Sequence, residues 1–161
     1  MKDEIQRALA PLVGRALSSP LRAANMLALR VGDEHELHIF CPWRIVVDDQ
    51  IVAGSGDLYT PRDPEAELET FDWEAEGTTW WDYRLEELFA ERHAPPVIER
   101  VTVDSLGGFR FACSGSTILE VFPSSSTAPH VETEHWRLLR PASQDAHFVV
   151  QADGIHRLFD A

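Results

Sequence analysis

His130, Glu132 and Glu134 alternate along the chain, so on a strand the imidazole and both carboxylates would share one face. Such a trio could ligate a divalent metal or divide acid and base roles. The solvated face of an amphipathic strand gives the same alternation, and no second histidine pair at a diagnostic spacing accompanies it. The sequence therefore favours a surface face and predicts no metal, no cofactor and no catalytic residue. His35 and His38 would converge on a helix, but the alternation around them argues for a strand, where they diverge. Ser55 in GSGDLY lacks the strand-to-helix elbow that exposes a nucleophile, and a turn is the better reading. Gly107-Gly108 lacks the later glycine and helix of a dinucleotide fingerprint.

A stronger signal is aromatic side chains set in acid. Residues 57–91 carry twelve Asp and Glu against two Arg, within a chain whose net charge is −13. That charge disfavours a nucleic-acid backbone as partner, since such a surface must displace condensed counterions with positive charge. A basic protein suits it better. Trp81 is expected to pack inward from a helix. Its neighbours could either cover a core or anchor a partner inside an acidic rim. The docking set is Glu67, Glu69, Asp72, Trp73, Glu74, Glu76, Trp80 and Tyr83. A competing set, Arg44, Arg110, Glu134 and His135, would serve a small-molecule or enzymatic pocket on the sheet, because a guanidinium among apolar strand residues needs a carboxylate from the protein or from a ligand.

The elements that must position these groups are mostly strands. Residues 3–18 carry apolar residues at helical spacing, but Pro11 and Gly14 interrupt them, which predicts a short or broken helix. The run 22–31 reads as one strand, joined through Gly32-Asp33 to an extended segment from Glu36. In ELHIFCPWRIVVDD, Leu37, Ile39 and Cys41 share a face, and beyond Pro42 so do Trp43, Ile45 and Val47. Pro42, which has no N–H for a ladder, marks a seam or bulge there. Residues 57–77, with two prolines and no period, predict a long acidic surface loop. Thr78 or Thr79 can cap a helix over 79–92, with Trp81, Leu85, Leu88 and Phe89 on one face and Arg92 and His93 in its last turn. Strands follow at 97–104, 109–114, 117–122, 131–140 and 146–151. The expectation is a single α+β domain spanning 1–161, with a mostly antiparallel sheet of about seven to eight strands in hairpins.

Cys41 and Cys113 lie in apolar runs and are expected to be buried thiols. The N-terminus is acidic where a signal peptide would be basic, and no segment has the apolar length of a membrane span, which points to the cytoplasm without membrane contact.

With LHIFCPWRI, GSGDLY, FACSGSTILEVFP and EHWRLL in view, the chain resembles small uncharacterised bacterial α+β proteins, some of them candidate immunity proteins of toxin systems. The resemblance implies a noncatalytic role and transfers no catalytic residue. The leading expectation is a domain that neutralises a basic, nuclease-like toxin through residues 57–91, where acid mimics a phosphate backbone. Self-association through an uncovered sheet face is a third reading.

Overall fold

The computed structural model describes residues 1–131 and 133–159. Among them are eleven strands in two antiparallel sheets, with two α-helices and two short 3-10 turns. The class is α+β as expected, but the strands form two sheets rather than one and outnumber the expected seven or eight.

Helix α1 (Lys2–Leu9) buries Ile5 and Leu9, and a 3-10 turn (Ala10–Leu12) with Pro11 in its first positions ends it. Proline fits there because the first N–H groups of a helical turn have no partner inside it. Strands β1 (Leu17–Ala23), β2 (Met26–Val31) and β3 (His35–Ile39) form successive hairpins. The run 22–31 is thus not one strand: it is broken at Ala24-Asn25, where Ala24 takes a positive φ and the chain reverses. Pro20 is tolerated because β1 is irregular between Ser18 and Leu21.

At Pro42 the chain leaves one sheet for the other. Strand β3 belongs to the six-stranded sheet, while β4 (Trp43–Val47) begins the five-stranded one. The N–H groups of Phe40 and Cys41 both donate to the His135 carbonyl, and the next residue has no N–H to place. Strand β5 (Gln50–Gly54) returns through Asp48-Asp49, both with positive φ as a tight hairpin turn requires. The GSGDLY segment closes as a 3-10 turn (Ser55–Tyr59), with Asp57 accepting the Gly54 N–H at 2.9 Å.

Helix α2 (Trp80–Leu88) follows the acidic loop. It stops four residues short of the expected end, so Arg92 and His93 lie beyond it. Strands β6 (Ile98–Val103), β7 (Phe109–Cys113) and β8 (Thr117–Val121) complete the five-stranded sheet in the order β5-β4-β8-β7-β6. Strands β9 (Glu134–Leu139), β10 (His147–Gln151) and β11 (Gly154–Leu158) complete the other in the order β1-β2-β3-β9-β10-β11. The sequence reading omitted β11, whose residues lack a buried stripe.

The inner faces of both sheets share one apolar core, to which Leu29, Leu37, Ile39, Trp136, Phe148 and Val150 come from one sheet and Trp43, Ile45, Phe109, Phe111, Leu119 and Val121 from the other. Phe109 and Trp136 meet across it edge to face at 5.1 Å. The Trp136 indole N–H donates to the Gly107 carbonyl at 2.8 Å, tying the β6–β7 turn to the opposite sheet. Gly107 takes φ +94, a conformation that disfavours a side chain, and a Cβ on Gly108 would collide with Asp104 Oδ2. The glycine pair is a structural corner. On one side the sheets nearly join, through an antiparallel bridge between Ala16 and Val97. Among the described residues no helix is long and apolar enough to cross a membrane.

Candidate functional site

The acidic loop is organised from beneath by one guanidinium. Arg22, on β1, has a side chain 5 % exposed. Its Nε donates to Asp82 Oδ1 at 2.7 Å and its Nη2 to Asp82 Oδ2 at 3.1 Å. Its remaining bonds go to carbonyls: Nη2 to Ala75 at 2.8 Å, and Nη1 to Trp73 and Ala24 at 3.1 Å each. A buried guanidinium is costly unless its donors are matched, and here all three nitrogens are. The sequence reading saw Arg22 only as the start of a strand. An arginine within an apolar strand run was the available signal, but its partner lies sixty residues away.

Asp82 also belongs to the cap of α2. Thr79 Oγ1 accepts the Asp82 N–H at 3.1 Å, while the Thr79 N–H and hydroxyl donate to Asp82 Oδ2 at 3.1 and 2.9 Å. Burial alone would raise the Asp82 carboxyl, but the bonds from Arg22 and Thr79 outweigh it and hold the pKa below the usual carboxylate range. Strand β1, the loop carbonyls and the helix N-terminus thus converge on one ion pair.

Above this anchor the carboxylates stand in solvent. Glu67, Glu69, Asp72, Glu74 and Glu76 are all exposed, and none has a cationic side chain within ion-pair distance among the described residues. Asp72 shapes the backbone as well, accepting the Glu74 N–H at 3.0 Å. Thr78 Oγ1 donates to the Asp72 and Ala75 carbonyls, closing the turn before the helix.

The aromatic residues divide. Trp81 is fully buried and meets Trp43 edge to face at 4.9 Å. Among the described residues neither indole N–H has a hydrogen-bond acceptor. Trp73 is half-buried, packed against the core and against Tyr59 at 5.5 Å. Its role is more to hold the loop down than to reach outward, whereas Tyr59, absent from the sequence-derived set, is 62 % exposed. Trp80 is 37 % exposed and lies 4.8 Å from Tyr83. Tyr83 is covered by Arg62, whose guanidinium sits 5.1 Å over the ring and pairs with Glu86 at 3.0 Å. Of the expected docking residues, the five carboxylates and Trp80 are thus exposed, and Tyr59, Asp63, Glu65 and Leu68 are exposed in the same segment.

The competing set is split between the two sheets. Arg44 and Arg110 are cross-strand neighbours of Glu120 and share its carboxylate, Arg44 by a direct hydrogen bond and Arg110 at 3.8 Å. They line a cavity of about 320 Å³ together with Asp104 and Phe122. Both guanidiniums are about half exposed, so neither is the buried charge that would demand a ligand. Glu134 and His135 lie on β9 of the other sheet, where Glu134 holds Arg137 at 2.5 Å and His135 is buried. Burial lowers the His135 pKa.

His130 sits in a turn with positive φ before β9, so it does not share a strand face with Glu134. Glu132, the third member of that trio, lies outside the described residues. His35 and His38 diverge on β3 as their spacing predicts: His38 contacts Glu36 at 3.2 Å on the side opposite Leu37 and Ile39. Among the described residues no three His, Cys, Asp or Glu side chains are grouped to hold a metal. Cys41 and Cys113 are buried free thiols, both raised to about 12, chiefly by burial. Comparison with family models, curated proteins and solved structures gives no match.

Proposed function

We propose that this chain is a noncatalytic binding module that docks a basic protein on its acidic loop and the first turn of α2. The observation that carries the reading is the pairing of unneutralised carboxylates with a backbone fixed from below by Arg22. A floppy acidic segment would lose conformational freedom on binding, whereas an anchored one presents its charges already placed. The carboxylates would speed encounter with a basic surface, and Tyr59 and Trp80 would slow departure by burying aromatic area. Neutralising a toxin that handles nucleic acid is the specific form we favour, because a cleft built to hold phosphate is basic and exposed carboxylates carry the same sign of charge as phosphate.

The direct test is binding of purified basic nuclease-toxin domains by the intact protein, measured at low and high salt. The expected result is tight one-to-one binding that weakens as salt rises. Reversing Glu67, Glu69, Glu74 and Glu76 to Lys should weaken it by at least about a hundredfold, the scale of several lost charge contacts. Unchanged affinity in that variant would remove the proposal. The sheet pocket at Arg44 and Arg110 is the weaker reading, because Glu120 already serves both guanidiniums and Glu134 and His135 are elsewhere.

A further inference from the structure

A second site lies where the end of α2 meets the inner face of the five-stranded sheet. A cavity of about 470 Å³ opens there, lined by Ile45 and Val47 of β4, Leu88 and Phe89 at the end of α2, and Thr117 at the start of β8. Arg84 also lines it. The volume falls within the range of small-molecule pockets, and the walls combine an apolar side, Ile45, Val47, Leu88 and Phe89, with polar groups that include Arg84, Ser114 and Thr117.

Arg84 sets the ligand class. Its Nε donates to the Val52 carbonyl at 2.6 Å, which fixes the plane of the guanidinium against β5. Its Nη groups have no acceptor, and no carboxylate lies within ion-pair distance, among the described residues. This is unexpected in a region as acidic as 57–91, where Arg62 pairs with Glu86 and Glu87 is taken by Arg92. The other charged or titratable groups lining the cavity are Glu87, already paired, and His93. Arg92, from outside the cavity, engages the Glu87 carboxylate, which leaves Arg84 as the lining charge without an ionic partner among the described residues. A guanidinium with its Nη edge uncommitted matches a carboxylate in two-point geometry.

We propose that this cavity binds a small amphipathic carboxylate, with the carboxylate on Arg84 and an apolar body against Ile45, Val47, Leu88 and Phe89. The site shares none of the residues of the acidic docking surface, so the two proposals stand or fall separately.

The test is a chemical-shift titration of the intact protein with two probes, octanoate and 1-naphthaleneacetate, each beside its neutral amide. Saturable binding of at least one carboxylate is expected, with shifts centred on Val47, Leu88 and Thr117. The matching amide should bind at least about tenfold more weakly, since it lacks the charge that Arg84 recognises. Arg84→Lys should keep part of the preference for the carboxylate and Arg84→Gln should abolish it. Thr117→Trp, which places an indole in the cavity while keeping Arg84 in the chain, should abolish binding while leaving the melting temperature near wild type. If Thr117→Trp unfolds the chain, the contrast between Lys and Gln at position 84 carries the test. Absence of saturable binding by both carboxylates, equal affinity for acid and amide, or shifts centred elsewhere would overturn the proposal.

Discussion

Arg22 has more structural consequence than any other charged residue described. Replacing it with Gln removes the cation paired with Asp82, which keeps only its bonds from Thr79, and takes the Arg22 donors from two loop carbonyls; the expected cost is about 3 kcal/mol, the scale for breaking a buried pair. Chemical denaturation reads that loss, and limited proteolysis should show new cleavage within 62–77. Thr79→Ala removes a cap and is expected to cost about 1 kcal/mol. Because both residues bond Asp82, the double variant should lose less than the sum of the two. The buried thiols give a third prediction. With Cys41 and Cys113 both raised to about 12, neither should react with a thiol reagent at neutral pH in the folded state, and both should react once denaturant is added. The cysteines were legible as core residues from their apolar neighbours, but Arg22 was not, because what it does depends on residues distant in the chain.

At the scale of elements, the hairpins are the part local chemistry encodes. Gly32-Asp33, Asp48-Asp49 and Gly115 each supply a turn between paired strands, although the strand that enters the first turn begins at Met26 and not at Arg22 as expected. The cap at Thr79 follows the same logic, since the Asp three residues later completes it. The misread run 22–31 shows the limit: Ala24 adopts a positive φ that its type does not advertise, and the one turn signal, Asn25, is isolated within an otherwise apolar run. The acidic loop was legible as a loop but not as a fixed one. Gly108 gives a sharp element-scale prediction. A methyl group there meets Asp104 Oδ2 and the Val121 carbonyl at 2.8 Å, so Gly108→Ala should cost about 1–3 kcal/mol by overpacking, read from the denaturation midpoint.

The whole molecule should respond to acid in two stages. Burial lowers the pKa of His135, and burial likewise lowers that of His35, with Arg140 and Arg15 adding to it against Glu34. A depressed histidine stays neutral in the folded state while the unfolded chain takes up its proton, so stability should fall as pH drops below about 6.5. Asp82 has the opposite consequence for its own range. Its lowered pKa contributes stability that is fully present above about 3.9 and lost as pH falls through the folded value. Melting temperatures measured from pH 8 to pH 3 should therefore decline in two steps, and His135→Gln should flatten the first.

By itself the sequence determined the features that neighbours along the chain can enforce: strand periodicity, most of the turns, the α2 cap, the buried thiols and the regional acidity. Only the tertiary structure decided that Pro42 divides two sheets, that Arg22 holds the acidic loop in place, that Arg44 and Arg110 stand apart from Glu134 and His135, and that Arg84 lines a cavity. The physical reason is range. Turn and strand preferences arise from each residue's own backbone and immediate neighbours, whereas strand order and ion-pair partnership depend on which distant surfaces bury one another.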